Sequence, residues 1–127
     1  LRVLIESEGA KMAAENCKKE NAEFLENILM DYAYELRHNK LGGNSDLALH
    51  TYIAKLSGND TLYEIIKLLL QKNDAFIQFS AANMLASQKI IQHKELVEAI
   101  VSKNGEAAKE KMKKHLSEVI NDVEKFY

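Results

Sequence analysis

A chain of 127 residues with 46% apolar content falls within the span of a single domain and can fill one core without covalent staples. Its 17 basic and 19 acidic residues leave a net charge of −2, which excludes a global attraction to nucleic acid or anionic lipid. The lone cysteine, Cys17, has no internal partner and sits in no CxxC, which excludes a disulfide framework or a zinc ribbon and fits a reducing cytoplasm.

No apolar run approaches the about 18 residues that a membrane span needs, and no cleavable signal pattern is present, so a soluble protein with no membrane contact is expected. The opening "LRVLIESEGAKMAAEN" lacks a methionine and is helical in pattern from its second residue. It is expected to belong to a fragment of a longer protein.

Proline is absent and only five glycines occur, so the main helix breakers are scarce. Apolar residues recur at helical spacing, as in Ile5, Met12 and Ala13, then Phe24, Leu25, Ile28, Leu29 and Tyr32. In chain order the pattern predicts helix one over about 1–16 and helix two over about 20–38, with "NKLGGNS" (39–45) as a loop. Ser45 is expected to cap helix three, which runs to about 56. "SGND" (57–60) breaks the pattern, and Asp60 is expected to cap helix four through "TLYEIIKLLLQKNDAFIQF". "AANMLAS" (81–87) marks a bend before helix five, about 87–102, and "KNGE" (103–106) separates it from helix six. Short connections join antiparallel neighbours, so the expected fold is all-α, an antiparallel helical bundle of about six helices over 1–127.

The histidines are not equivalent. His38 closes a polar helix end in "ELRHNK", where an exposed histidine favours the helix dipole. His93 precedes Leu96, Val97 and Ile100 on one face, His115 shares its face with Ala108, Met112 and Val119, and His50 lies between Leu47 and Ala54. Three histidines on three helices therefore point inward. Buried imidazoles need partners, and a divalent metal ion held with the carboxylate of Asp46, one turn before His50, would supply one. Two readings stand side by side here: a shared metal site, or satisfied core histidines with a simple Asp46–His50 pair.

The order of three segments carries a resemblance. "SDLALHTYIAKLSGNDTLYEII", with its D-x-x-x-H helix and Ser-Gly-Asn turn, resembles the C-terminal effector-binding (FCD) domain of FadR-subfamily regulators in the GntR family. "QHKELVEAIVSKNGEAAKEKMKKHL" resembles that family's closing segment, and "RVLIESEGAKMAAEN" its first helix. The resemblance implies that Asp46, His50, His93 and His115 coordinate one divalent ion, with zinc first and nickel, manganese or iron as alternatives. It also implies a small carboxylate effector, a homodimer, and DNA binding only through a winged helix-turn-helix domain that would precede this fragment. Arg2 is the candidate carboxylate anchor, with Asn59, Gln78 and Asn83 as candidate hydrogen-bonding residues. The stretch 71–92 contains no arginine, which argues against a highly anionic effector.

On this reading the chain is not an enzyme but a sensing domain of a transcriptional regulator. The alternatives are a metal-dependent hydrolase, weakened by the lack of an HExxH or a His-Asp dipeptide, and a purely structural helical interaction domain.

Overall fold

The helical spacing read from the sequence is realised as α1 (Arg2–Asn16), α2 (Lys19–Arg37), α3 (Gly43–Leu56), α4 (Asp60–Lys72), α5 (Ala86–Val101) and α6 (Gly105–Phe126). The computed structural model describes residues 1–38, 43–72 and 86–126, and of these not the side chains of 43, 72, 86 and 119–126. The described residues contain no strand. The expected all-α bundle is the observed one, with six helices among the described residues.

Small residues decide the packing. Gly9, Ala10, Ala13 and Ala14 are all buried on α1, and their short side chains let α3, α4, α5 and α6 each lie against this one helix. A Cβ on Gly9 would stand only 3.1 Å from Leu62 Cδ2 of α4, so a side chain there would need Leu62 to give way by a few tenths of an ångström. Around α1 the main core collects Leu25, Ile28, Leu49, Ile53, Leu96, Ile100, Met112 and Leu116. Full burial of one such side chain stabilises the fold by about 1.5–3 kcal/mol. A smaller cluster, Ala54, Ile66 and Leu70, joins α3 to α4. The apolar face read on α2 is narrower than the sequence suggests: Leu25, Ile28 and Tyr32 are buried, while Phe24 is half exposed and stacks on Tyr52 with ring centroids 4.4 Å apart.

The helix ends are tied by side chains. Asn16 Nδ2 donates to the carbonyls of Leu56 (3.2 Å) and Ser57 (2.9 Å), and Lys103 Nζ donates to those of Glu15 (2.9 Å) and Cys17 (2.8 Å), so orphan carbonyls at the ends of α3 and α1 are satisfied. Gly58, at φ 75°, makes the left-handed turn that lets α3 stop and α4 start.

Two expected caps are corrected. Asp60 is the first residue of α4, and the cap is Asn59, whose Oδ1 accepts from Leu62 N at 3.0 Å. Ser45 lies inside α3, buried, with its hydroxyl donating to Glu35 Oε1 at 2.6 Å; α3 begins two residues before it. The loop at 39–42, the extension of helix four beyond 72 and the bend at 81–85 lie outside the described residues.

Candidate metal centre

Helices α3, α5 and α6 each carry one inward histidine. His50, His93 and His115 are 1%, 4% and 5% exposed, so the periodicity argument that aimed them inward holds. His38, by contrast, is exposed at the end of α2, where its Nδ1 lies 2.9 Å from the Tyr34 carbonyl. Asp46 lies one turn before His50 on α3 and is half-buried. One ligand atom from each of Asp46, His50, His93 and His115 falls within 4.8 Å of all the others. That span is close to the about 4 Å between opposite donors on one ion bonded at about 2 Å.

Each imidazole is held from behind through Nδ1. His93 Nδ1–H donates to the Lys89 carbonyl at 2.6 Å, His50 Nδ1–H to Glu6 Oε1 at 2.5 Å, and His115 Nδ1–H to Gln92 Oε1 at 2.8 Å. A carbonyl oxygen can only accept, so these bonds fix the proton on Nδ1 and turn Nε2 toward the other donors. Glu6 is itself ion-paired with Arg2, and Gln92 Nε2 donates to Glu118. His93 Nε2 faces Asp46 Oδ1 at 2.5 Å. His50 Nε2 is 3.4 Å from the same oxygen and, fully buried, has no hydrogen-bond partner. An orphaned imidazole nitrogen among three further ligand atoms is what a cation would satisfy, so the donor set fits a divalent ion.

The electrostatics divide the ligands. Burial raises the Asp46 carboxyl, but the charges and hydrogen bonds of His50 and His93 outweigh it and hold Asp46 ionised, well below the usual carboxylate range. Burial, together with His93 and His50, pushes His115 well below the ordinary histidine value and keeps it neutral. For His50 burial acts downward, yet Glu6 and Asp46 prevail and push its pKa up to about 9. Two ligands are thus ready for a metal at neutral pH, while His50 holds a proton that a metal must displace. His115 also lines a cleft of about 390 Å³ between α5 and α6, with Gln92, Lys111, Lys114 and Glu118 on its walls.

Residues 1–118 match the sequence profile of the FCD domain. The chain belongs to the FCD domain family. The FCD fold is seen again in Streptococcus agalactiae GntR, at 24% identity and a TM-score of 0.79 over 93% of this chain and 53% of that one. E. coli McbR/YncC has the same fold at 16% identity and a TM-score of 0.78, over 96% of this chain and 62% of that one. This FCD domain therefore spans little more than half the length of those proteins. A comparison with curated protein sequences finds no match.

Of the other sequence candidates, Arg2 lies near the cluster, but its Nε is engaged by Glu6. Asn59 is exposed and occupied as the α4 cap, beyond the end of α3 remote from Asp46. Gln78 and Asn83 lie outside the described residues. Sequence reading assigned no role to Glu6, Gln92 or Lys89. The signal for Glu6 was available: it lines up with Gly9, Ala10 and Ala13 at i+3, i+4 and i+7, a small-residue face on which a carboxylate must be partnered.

Proposed function

We propose that this FCD domain is the sensing half of a GntR-type transcriptional regulator, built to hold one divalent metal ion and to bind a small organic acid beside it. The observation that carries the reading is the unpartnered, fully buried Nε2 of His50, set among the donor atoms of Asp46, His93 and His115. Those four residues would hold the ion, which would supply a Lewis-acidic point for a carboxylate oxygen. Imidazole and carboxylate donors suit zinc first, and nickel, manganese and iron after it.

The chain's own contribution is orientation. Glu6, the Lys89 carbonyl and Gln92 lock the three rings in the tautomer that leaves Nε2 as ligand. Tyr32, itself buried, packs its ring on His93 with centroids 4.3 Å apart. The role is binding rather than catalysis, and Arg2, with guanidinium nitrogens beyond the one facing Glu6, is a second carboxylate anchor in this reading.

The regulator would act in the cytoplasm as a homodimer, reaching DNA through a winged helix-turn-helix domain outside this sequence. Acid binding would shift the dimer between arrangements of those DNA-binding heads, which requires unequal affinity for the two states. No described helix is long and apolar enough to cross a membrane, in keeping with this location.

Elemental analysis of the chain purified without a histidine tag or chelator tests the proposal. About one metal per chain is expected, absent from a His93→Ala, His115→Ala double variant. No metal in the unaltered chain after reconstitution and dialysis would overturn it.

A further inference from the structure

The three ligand rings are not backed alike. His50 donates to a carboxylate, Glu6, and His93 to a backbone carbonyl, that of Lys89, and both kinds of group can only accept. His115 instead leans on a side-chain amide, with Gln92 Oε1 2.8 Å from its Nδ1. An amide has an acceptor end and a donor end, which exchange places when it turns over with almost no change of shape. With Oε1 toward the ring, His115 carries its proton on Nδ1 and offers Nε2 as a ligand. With the amide nitrogen toward the ring, the proton must sit on the imidazole Nε2, and a protonated nitrogen binds no metal. The second arrangement has an attraction of its own, since a ligand atom of His115 lies within 4.8 Å of one of Asp46, an acceptor for that proton.

What holds the amide is Glu118. Its carboxylate accepts from Gln92 Nε2 and cannot donate, so only the orientation that points Oε1 at His115 satisfies both neighbours. Helical spacing allows this: Glu118 follows His115 by three residues on α6, which puts both on the side that meets Gln92 of α5. Gln92 and Glu118 are half-buried on the wall of the cleft between α5 and α6. Of the lysines on that wall, Lys111 is held by Glu95 at 2.8 Å, and Lys114 makes no ion pair among the described residues, so neither draws the Glu118 carboxylate away from the amide.

We infer, resting on the metal reading above, that Glu118 is a positioning residue of the cluster: through the Gln92 amide it keeps the His115 proton on Nδ1 and so keeps Nε2 open to the ion. Glu118 touches no ligand of the set. It acts by removing the one orientation of Gln92 that would take His115 out of it.

Nitrogen–proton correlation NMR of the metal-free full chain reads the tautomer of the His115 ring. In the unaltered chain the Nδ1–H form is expected. Glu118→Gln offers the amide either end, so the Nε2–H form should appear, and metal affinity, read by competition with a chromophoric chelator, should fall by about tenfold, the low end of the loss that follows removal of an outer partner. Exchanging the two residues, Gln92→Glu together with Glu118→Gln, sets an acceptor-only group against His115 again and is expected to restore both the tautomer and most of the affinity. Melting curves check the fold of each variant, and Glu118→Ala replaces Glu118→Gln should the latter not fold. An Nε2–H ring in the unaltered chain, an unmoved tautomer in Glu118→Gln, or an exchange variant no better than the single one would each overturn the inference. So would an affinity loss without a change of tautomer, which would leave Glu118 acting by its charge alone. Should the chain take up no metal, the proposed function fails by that measurement. The metal-free spectra then decide on Glu118, with a Glu118-dependent tautomer supporting the positioning role and an independent one overturning it.

Discussion

Replacing Glu6 is the sharpest probe of how the cluster is held. The carboxylate is 1% exposed, accepts from His50 Nδ1 at 2.5 Å through one oxygen and pairs with Arg2 through the other. Glu6→Ala removes both contacts and leaves the Arg2 charge and the buried His50 Nδ1–H without a partner. Because both oxygens act where water is excluded, solvent screening discounts little, and breaking a buried pair from one side costs about 3–5 kcal/mol. Arg2, at 12% side-chain exposure, recovers part of its loss by hydration, so the lower end is expected. The second effect is on the ligand: with nothing fixing its tautomer, His50 is expected to lose metal about 10–100-fold more readily. Glu6→Gln keeps an acceptor for Nδ1–H but not the charge, and should fall between Glu6→Ala and the unaltered chain in both measures. Urea unfolding of the metal-free protein reads the first effect and competition with a chromophoric chelator reads the second. A Glu6→Ala protein with unchanged metal affinity would refute the claim that Glu6 orients His50, whatever its stability.

Metal uptake is expected to release a proton near neutral pH, because His50, raised to about 9, must lose one. Calorimetry in buffers of different ionisation enthalpy checks this, and affinity should rise about tenfold per pH unit up to that value. In the metal-free chain the sign is reversed. A histidine raised from 6.5 to about 9 contributes stability that is complete below 6.5 and is lost as the pH climbs through 9, so melting temperatures of the chelated protein should fall across that window. Chelation itself should cost about 4 kcal/mol relative to metal at a thousandfold excess over its dissociation constant, read as a drop in unfolding free energy. Asn59→Ala is expected to cost about 1 kcal/mol through the lost α4 cap and to leave metal content and acid binding unchanged, which separates its capping contact from any ligand role.

Much of this was legible in the sequence because the helical period is a local property. His93 could be aimed inward from Leu96, Val97 and Ile100 alone, the all-helix reading followed from helical spacing without proline, and the bundle followed from the short connections. What stayed hidden depends on contacts across helices. Asn59 and Asp60 are both good caps, and it is the Asn59 side chain, one residue after the Gly58 turn, that faces Leu62 N. Ser45 looks like a cap until Glu35, ten residues earlier, is brought to its hydroxyl. Glu6 lies 44 residues from His50, and no spacing rule joins them. The carbonyl of Lys89 was unreadable for a different reason: its role toward His93 is a backbone one, which any residue type would perform.

The same contacts explain why a site built this way suits a sensor. Asp46 and His50 belong to α3, His93 to α5 and His115 to α6, and all three helices rest on α1. α1 meets them through Gly9, Ala10, Ala13 and Ala14, short side chains that allow a close approach, and side-chain contacts from its first turns tie it to the ligand-bearing helices. Glu6 and Arg2, at the start of α1, are part of that tie. In the proposed reading an ion held by the cluster would tie these three helices together against α1. A ligand shifts such an equilibrium only by its differential affinity for the two arrangements. In the proposed reading the partnerless His50 nitrogen is where that difference is available, since a bound ion would give it a contact that it lacks without one.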